Sequence, residues 1–484
     1  MAPPLQRVDK YVWKIPQTYR SGMRVPVIVY ASEKLIQKMQ QDRTLEQAVN
    51  VSMLPGVQKH VTVLPDAHEG YGFPIGGVAA MDVETGVISP GGIGYDINCG
   101  VRLMVTNLSV DEVRPRIKEL VDTIFANVPA GLGSRRKDFN VTHSDLDKIV
   151  VEGARYIIER YGLGWDEDYK HMEESGAIQG ADPSVVSPTA KSRGQAQIGT
   201  LGSGNHFLEV QRVDKIFDER AAKIMGITHE GQVTVLIHCG SRGYGHQICS
   251  DYLRVMERGA VKYGIRLPDR ELACVPIKSN EAQQYLKAFK CAVNFAFANR
   301  QAISHWVRQS FQKVFRRDPE DLGMKIVYDV CHNIAKFEKH KVNGGAKEVL
   351  VHRKGATRSF PAGHQLIPED YRAIGQPVLI PGSMGTASWV LLGNPNAMEL
   401  SFGSTAHGAG REMSRAGAKR RYRGDQVIRD LESRGVYVRG DSMATIVEEV
   451  DAAYKSVDEV VEVSHQVGIG TKVARLVPIG VVKG

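Results

Sequence analysis

The chain has 484 residues, of which 42% are hydrophobic and 24% are charged. This composition is typical of a folded globular protein and excludes a largely disordered chain. No run approaches 18 consecutive apolar residues, and the N-terminal segment lacks the apolar centre of a signal peptide, so we expect a cytoplasmic protein without a membrane span. The net charge of +8 permits a polyanionic partner without requiring one.

Apolar runs and helical periodicity alternate along the whole chain. Strands are predicted at 27–31, 61–65, 101–106, 206–210, 233–238, 325–330 and 377–382. Helices are predicted at 110–127, 145–161, 247–263, 280–316, 424–434 and 446–460. Because no repeat or linker divides the chain, we expect one α+β unit over 1–484, a single large mixed sheet and helix unit with an irregular surface excursion near 165–195.

Polar side chains that can bind a metal follow several of the predicted strands. They are Asp96, Cys99, His206, His238 and His332. Each histidine alone is compatible with a buried core residue, and a lone cysteine is usually an inert one. Together they exceed the four ligands of a structural zinc site, which indicates two ions with a shared Cys99 thiolate. Thiolate and imidazole ligands by themselves favour zinc.

Two glycine-rich loops carry further candidates. Asp66 lies in PDAHEGYGFPIGG (65–77), which is otherwise a turn whose polar side chains cap backbone groups. His407 lies in SFGSTAHGAGREMSR (401–415), a small-residue loop that we expect to open a helix at Arg411 and to hold an anion. A neutral imidazole there is nucleophilic. The loop 381–389 is also suited to phosphate or base contacts.

The tract 414–424, SRAGAKRRYRG, is basic and is either a solvated helix face or an RNA backbone contact. The sequence contains no GxxxxGK[ST] loop, no GxGxxG turn opening a βαβ unit, and no KxDG stretch of lysine-nucleotidylated ligases. The six cysteines contain no CxxC pair, so they predict no disulfide framework.

The ordered motifs of the whole chain resemble those of the RtcB-type RNA ligases, the tRNA-splicing ligases of archaea, many bacteria and animals. The motifs are PDAHEGYGFPIGG, GGIGYDINCGVR, GSGNHFLEV, HCGSRGYGH, NFAFANRQ, VYDVCHN, PGSMGTASWV, STAHGAGR and PIGVVKG. The resemblance implies Gly-rich loops that converge on a metal and nucleotide site. It also implies GTP- and Mn²⁺-dependent joining of RNA 2′,3′-cyclic phosphate or 3′-phosphate ends to 5′-hydroxyl ends, through a guanylylated histidine and a guanylylated RNA 3′ end.

The resemblance assigns roles to matching positions. It makes His407 the guanylylated residue and makes the five metal candidates the ligands of two Mn²⁺ ions that share Cys99. Positions on or near the guanylate site are Asn205, Phe207, Glu209, Ser383, Ser388, Gly408, Tyr454 and Lys483. Glu209 would select guanine and Phe207 would stack on it. By analogy with catalytic triads, Asp66 is expected to hold the His407 tautomer, and Arg242 is expected to contact an RNA phosphate.

Two other functions remain open from the residues alone. A metal-dependent phosphoesterase acting on RNA 3′ ends would use the same ligands but would need neither His407 nor Lys483. A non-catalytic RNA-binding protein would suit the positive charge but would leave the ligand cluster unexplained. The expected partners of a ligase are RNA, either tRNA exon halves or broken RNA under repair, and an archease-type activator.

Overall fold

The computed structural model describes residues 3–136 and 138–484. Its strands in chain order are β1 (Gln6–Asp9), β2 (Val12–Ile15), β3 (Val27–Tyr30), β4 (Val61–His68), β5 (Ile75–Asp82), β6 (Val87–Ile88), β7 (Gly100–Ser109), β8 (Phe207–Ile216), β9 (Gln232–Cys239), β10 (Val275–Pro276), β11 (Lys325–Cys331), β12 (Asn333–Val342), β13 (Gly345–Lys354), β14 (Ala356–Arg358), β15 (Pro377–Ile380), β16 (Ser388–Leu392), β17 (Ser404–Ala406), β18 (Tyr437–Gly440) and β19 (Thr471–Lys483). All seven predicted strands are present, and several run beyond the apolar stretch that predicted them.

Helices occupy much of the remaining chain. In chain order they are α1 (Glu33–Met39), α2 (Thr44–Val51), α3 (Val110–Val113), α4 (Ile117–Asn127), α5 (His143–Glu152), α6 (Ala154–Tyr161), α7 (Pro188–Gln197), α8 (Glu219–Ile224), α9 (Arg242–Lys262), α10 (Asn280–Phe315), α11 (Pro395–Leu400), α12 (Arg415–Arg421), α13 (Gly424–Ser433), α14 (Met443–Glu448) and α15 (Val457–Val467). The long predicted helix is confirmed as α10, which begins behind a capping Ser279 hydroxyl. None of the described helices combines the length and apolar composition needed to cross a bilayer.

Four helix predictions are wrong in extent or place. The 110–127 stretch is divided between α3 and α4 at Pro115, which lacks a backbone donor, and 145–161 is divided at Gly153, whose φ is +65°. The 446–460 stretch is not one helix, because α14 ends at Glu448 and Ser456 caps the start of α15. The helix expected at Arg411 begins four residues later, behind the Ser414 cap.

An eight-stranded sheet holds most of the predicted apolar strands. Its order is β11-β7-β9-β8-β19-β16-β15, with β18 paired in parallel to β19 and the other neighbours antiparallel. The register places Gly100 of β7 opposite both Cys239 of β9 and Cys331 of β11, and Phe207 of β8 opposite His238. In an antiparallel pair, the C-terminal end of one strand lies beside the N-terminal end of its partner. The starts of β7 and β8 and the ends of β9 and β11 therefore lie at the same edge of this sheet.

A second sheet of seven strands has the order β1-β2-β3-β4-β5-β13-β12. Its β4 carries Asp66 near the strand end, where the pairing with β5 shifts register between Val63 and His68. One hydrophobic core packs side chains of both sheets and of α10 together, including Val63, Ile237 and Phe295. The two sheets and α10 are therefore joined by a continuous buried interior.

The segment 165–195 is irregular only in part. It contains three short 3₁₀ turns and most of α7, and it buries charged side chains instead of exposing them. Asp168 accepts two hydrogen bonds from the Arg308 guanidinium of α10, at 2.6 and 2.7 Å, and this guanidinium also lies 3.6 Å from the Trp165 ring centroid. An ion pair with almost no solvent exposure thus fastens the segment to the central helix.

Removing the carboxylate of this ion pair would leave a buried guanidinium without its partner. We expect Asp168→Ala to lower the free energy of unfolding by about 3–5 kcal/mol. The exposed neighbour Asp166 offers a matched control, and Asp166→Ala is expected to change the free energy by less than about 0.5 kcal/mol. Urea unfolding followed by tryptophan fluorescence checks both values; equal, small effects would show that the segment is not anchored through Asp168.

Candidate functional site

The five residues predicted as metal ligands lie together. The structure brings Cys99, His238 and His332 into one group and Asp96, Cys99 and His206 into a second, with the ligand atoms of each group within 4.8 Å of one another. Cys99 belongs to both groups. Its sulfur lies 3.2 Å from Nε2 of His238 and 3.6 Å from Nε2 of His206. Two adjacent cation sites with a common sulfur fit this donor set.

The convergence of the strands of the larger sheet explains this cluster. Cys99 directly precedes β7, His238 is the penultimate residue of β9, His206 directly precedes β8, and His332 directly follows β11. The backbone N–H of His332 donates to the Cys99 carbonyl at 2.9 Å, which ties two ligand-bearing segments together. As a result, Nε2 of His238 and Nε2 of His332 lie 3.3 Å apart.

Burial and neighbouring charges decide the protonation of these ligands. Burial lowers the pKa values of His238 and His332 well below the ordinary range, and the charge of other histidines adds to the effect. Both imidazoles are therefore neutral and have a lone pair for a cation. Burial alone would lower the pKa of His206, but Cys239 and the Asp96 carboxylate raise it, and the net shift is upward. The Asp96 contact is direct, because Nε2 of His206 lies 2.7 Å from Oδ2 of Asp96.

His407 and Asp66 form the second part of the site. Nδ1 of His407 lies 2.5 Å from Oδ2 of Asp66, and the same oxygen accepts hydrogen bonds from the backbone N–H groups of His407 at 3.0 Å and Gly408 at 3.3 Å. Asp66 is fully buried, which works against its charge, but His407 and these hydrogen bonds hold the carboxyl pKa below its usual range. The His407 and His332 ring centroids are 5.0 Å apart, which places the pair beside the metal ligands.

A cleft of about 790 Å³ joins the two parts. The predicted residues that line it are Asp96, Cys99, Asn205, Phe207, His238, His332, His407, Gly408 and Tyr454. The predicted residues that do not line it are Asp66, His206, Glu209, Ser383, Ser388 and Lys483, which are buried. The ring of Phe207 packs edge-on against His238, with centroids 5.3 Å apart, so in this structure it supports a metal ligand.

Lys483 and Glu209 lie on paired strands beneath the cleft. The Lys483 ammonium donates to the His206 carbonyl at 2.8 Å and lies 3.7 Å from the Glu449 carboxylate. Glu209 accepts one hydrogen bond from Gln211 at 2.7 Å, while its other carboxyl oxygen, Oε1, has no partner among the described residues. Gln211 also donates to the Ser388 hydroxyl at 3.1 Å. Glu209, Gln211 and Ser388 thus form one buried polar network, and Lys483 lies beside it on the paired strand β19.

Ser383 and Tyr454 are paired with acidic side chains. The Ser383 hydroxyl donates to Asp451 at 2.8 Å, and the Tyr454 hydroxyl donates to Glu449. Arg411 donates to the Tyr454 hydroxyl at 3.0 Å and forms an ion pair with Glu449 at 3.1 Å. The groups predicted to contact a nucleotide are therefore held in place by partners of the same chain.

Arg242, predicted as an RNA contact, lies buried at the start of α9. Its guanidinium donates to the Thr200 hydroxyl at 3.2 Å and packs so closely on Gly202 that a Cβ there would meet it at 1.6 Å. In the basic tract 414–424, Arg415 and Lys419 form ion pairs with Glu448, whereas Arg420 and Arg421 are exposed. Some basic side chains of this tract are therefore held in ion pairs, and others are exposed to solvent.

The prediction missed several cationic and aromatic residues of the cleft. Lys354 lines the cleft, donates to the Tyr71 carbonyl, and has its pKa lowered to about 7 by burial. Arg411 and Arg415 also line the cleft, as do Tyr71 and Tyr95. Arg411 closes the HGAGR motif, and a positive residue after a phosphate-type loop was a usable signal. Lys354 ends an ordinary strand pattern, so its sequence context contains no such signal.

The buried Glu209 carboxyl gives the protein a specific pH dependence. Burial raises the pKa of Glu209 to about 8, well above the ordinary value of about 4.5 for a glutamate, so the folded form binds this proton more tightly than the unfolded form. Its stabilising contribution is complete below about pH 4.5 and is lost as the pH rises through about 8. Glu209→Gln removes this loss.

We therefore expect the free energy of unfolding of Glu209→Gln, relative to the wild type, to increase between about pH 5 and about pH 8, by at most about 1.4 kcal/mol per pH unit. Urea unfolding across this range measures the difference. The exposed Glu348 on β13 provides the control variant Glu348→Gln, for which no such increase is expected. Parallel pH profiles for wild type and Glu209→Gln would contradict a raised Glu209 pKa.

Comparison with known proteins identifies the family. The family model described as tRNA-splicing ligase RtcB matches residues 47–484. The chain is 59% identical over 481 residues to the tRNA-splicing ligase RtcB of Thermococcus kodakarensis, covering 99% of each chain. It is 58% identical over 483 residues to that of Aeropyrum pernix, covering 99% of this chain and 100% of the relative. With this identity along its whole length, and with the strand-end ligands in one cluster, the chain belongs to the tRNA-splicing ligase RtcB family.

Proposed function

We propose that this chain is a GTP-dependent RNA ligase that joins a 2′,3′-cyclic phosphate or 3′-phosphate end of one RNA to the 5′-hydroxyl end of another. Membership of the RtcB family supports this function, since the relatives are named tRNA-splicing ligases. The substrates would be tRNA exon halves, with broken RNA under repair as a second source. An archease-type activator would assist the enzyme. Both sheets contribute to the cleft, so the proposed catalytic unit is the whole chain.

The observation that carries the proposal is the His407–Asp66 pair beside the metal-ligand cluster. Asp66 accepts from Nδ1, so the proton of the neutral imidazole is held there and the lone pair is on Nε2. Among the described residues, none is hydrogen-bonded to Nε2. A ring that is fixed by a buried carboxylate and presents a free nitrogen is suited to nucleophilic attack.

In the proposed first step, Nε2 of His407 attacks the α-phosphorus of GTP. The new N–P bond forms as the bond to the β-phosphate oxygen breaks, and pyrophosphate leaves. Asp66 stabilises the positive charge that develops on the ring without taking its proton. This arrangement yields a guanylylated histidine at the floor of the cleft.

In the later steps, RNA reacts at the same position. Water first opens a cyclic phosphate to a 3′-phosphate, and an oxygen of this phosphate attacks the phosphorus on His407, which releases Nε2. The RNA 5′-hydroxyl then attacks the activated 3′-phosphate, and GMP leaves. The phosphate of the new linkage comes from the RNA, and the exposed, positively charged Arg420 and Arg421 would attract its backbone.

The ligand cluster fits two Mn²⁺ ions. Asp96, Cys99 and His206 would hold one ion and Cys99, His238 and His332 the other, because the two groups share only the Cys99 sulfur. Bound ions would neutralise triphosphate charge and stabilise the charge that develops during transfer. Zn²⁺ competes for thiolate and imidazole, so we expect it to occupy the same groups and inhibit.

Guanine recognition is assigned to the network beneath the cleft. Oε1 of Glu209 has no described partner, which leaves an acceptor for guanine. Guanine presents two adjacent donors, N1–H and N2–H₂, to such a carboxyl group, whereas adenine presents one donor, N6–H₂, beside the acceptor N1. Lys483, Ser383, Ser388, Asn205, Phe207, Gly408 and Tyr454 complete the proposed nucleotide site.

The nucleophile is tested by intact-protein mass after incubation with GTP and Mn²⁺, with ATP in parallel. We expect a gain of one GMP with GTP, acid-labile and absent in His407→Ala. Asp66→Asn, which misplaces the imidazole proton, should form the adduct about 10³–10⁴-fold more slowly. The exposed His229 supplies the control His229→Ala, which should be labelled normally. An adduct on His407→Ala would contradict the assignment. No adduct on the wild type, together with phosphate release from an RNA 3′-phosphate end in a separate incubation, would favour a phosphoesterase.

The shared thiolate is tested by metal content. After equilibrium dialysis against Mn²⁺, elemental analysis should find two ions per wild-type chain and neither tightly bound in Cys99→Ala. By contrast, His206→Ala and His332→Ala should each retain one ion, because each belongs to a single group. Cys274 is buried elsewhere in the core, so Cys274→Ala serves as the control with two ions. Equal losses in Cys99→Ala and His332→Ala would contradict a shared sulfur.

A further inference from the structure

Two adjacent polar residues lie fully buried in the middle of α10, within the NFAFANRQ motif to which no role has yet been given. Asn299 and Arg300 are polar, yet both are 0% exposed and lie among mostly apolar residues of the helix. Burying a guanidinium and an amide is costly unless every donor and acceptor finds a partner. Their partners therefore indicate what the residues do.

Arg300 binds three segments that carry metal-ligand candidates or lead to them, two through backbone carbonyls and one through a carboxylate. Its Nη1 donates to the carbonyl of Asn98 at 2.9 Å and to that of Cys239 at 2.8 Å, and its Nη2 donates to Oδ1 of Asn98 at 3.1 Å. Its remaining donors meet the buried Asp329 carboxylate at 2.7 to 3.1 Å. Asn98 precedes Cys99, Cys239 follows His238, and Asp329 lies on the strand that leads to His332.

The Asn98 contact fixes an uncommon backbone conformation. Asn98 has a φ of +52°, in the left-handed region that non-glycine residues seldom adopt. Its carbonyl and side-chain oxygen both accept from Arg300, while its own amide donates to the Val293 carbonyl at 2.8 Å. A Cβ on Gly100 would lie 3.1 Å from the Arg300 guanidinium, so glycine allows this close approach. Contacts with α10 thus stabilise the turn that orients Cys99.

Asn299 binds the remaining segments. Its Oδ1 accepts from the backbone N–H groups of Gly199 at 2.7 Å and Thr200 at 3.2 Å, and its Nδ2 donates to the Gly240 carbonyl at 3.2 Å. The backbone carbonyl of Leu201, which follows Thr200, accepts a hydrogen bond from Nδ1 of His206 at 3.0 Å. A Cβ on Gly240 would lie 2.4 Å from Oδ1 of Asp96, so this segment borders that carboxylate directly.

We propose that Asn299 and Arg300 are positioning residues that jointly set the geometry of the whole metal-ligand cluster. Neither contacts a reacting group. Between them, one helix turn contacts every segment that carries a ligand candidate: it binds the backbone of Asn98, of 199–200 and of 239–240, and the side chain of Asp329 on the strand that leads to His332. The inference rests on the proposed metal site but concerns how the chain builds it. Groups that orient metal ligands from behind typically contribute about 10- to 100-fold to metal affinity.

The same helix supplies matched controls. Asn294 is equally buried, and its amide donates to the carbonyls of Val150 and Ile178, away from the cluster. Arg308 is a buried guanidinium paired with Asp168. The same chemical change can therefore be compared at two places in one helix. Asn299→Ser is compared with Asn294→Ser, and Arg300→Lys is compared with Arg308→Lys.

The experiment is a calorimetric titration of Mn²⁺ into each full-length variant, together with its melting temperature without metal. All four variants are expected to melt at lower temperature than the wild type. Only Asn299→Ser and Arg300→Lys should raise the Kd for Mn²⁺, by about 10- to 100-fold. The Co²⁺-loaded forms of these two should also show an altered visible spectrum, since that spectrum reports ligand geometry. Asn299→Ser changes no charge, so it decides the question if Arg300→Lys fails to fold.

Unchanged Kd and Co²⁺ spectrum in Asn299→Ser, at a lowered melting temperature, would overturn the proposal and leave a purely structural role. A rise in Kd of the same size in Asn294→Ser would overturn it as well, because affinity would then follow stability. RNA ligation is measured separately. A wild type that binds metal without ligating would contradict the proposed function while the Kd comparison still decides this inference, and a wild type that binds no divalent ion would overturn both.

Discussion

The pairing register at the edge of the eight-stranded sheet is the constraint on which the site depends. Gly100 lies opposite Cys239 on one side and Cys331 on the other, and this register places Cys99, His238 and His332 at the same level. A slip of one residue in any of these pairs would turn the side chains to the opposite face. Between β7 and β11 a buried ion pair opposes such a slip, because Arg102 lies opposite Asp329 and donates to its carboxylate at 2.7 Å.

The two sheets have different tasks in the site. The larger sheet supplies the metal-ligand candidates, whereas Asp66 comes from β4 of the smaller sheet and His407 from the loop after β17. The bond between His407 and Asp66 therefore joins distant parts of the chain, 341 residues apart in sequence. The nucleophile candidate and the cation cluster share one cleft only because the sheets pack over a continuous core. Fold stability and site geometry are coupled through that core.

Much of this arrangement was predictable from the amino-acid sequence, for identifiable reasons. The ligand candidates each adjoin a strongly apolar strand, and strands of this kind have few alternatives to a buried sheet. Asp66 and His407 were found through glycine-rich loops. Helix ends were harder, because Gly153 and the Ser456 cap override a helical hydrophobic pattern that continues through them. Asn299 and Arg300 escaped notice because helical periodicity does not show that a polar residue is buried.

Glu449 shows how the proposed nucleotide site is arranged before any nucleotide binds. This nearly fully buried carboxylate contacts Arg411, Arg415, Tyr454 and Lys483 at once. If this site binds a nucleotide as proposed, the polyphosphate would compete for Arg411, Arg415 and Lys483 with the Glu449 carboxylate that already contacts them. The net affinity is the difference between two sets of charge-assisted hydrogen bonds. In the proposed reaction, such an exchange would keep the cations ordered between turnovers and would favour release of the spent mononucleotide, since the carboxylate could take its place.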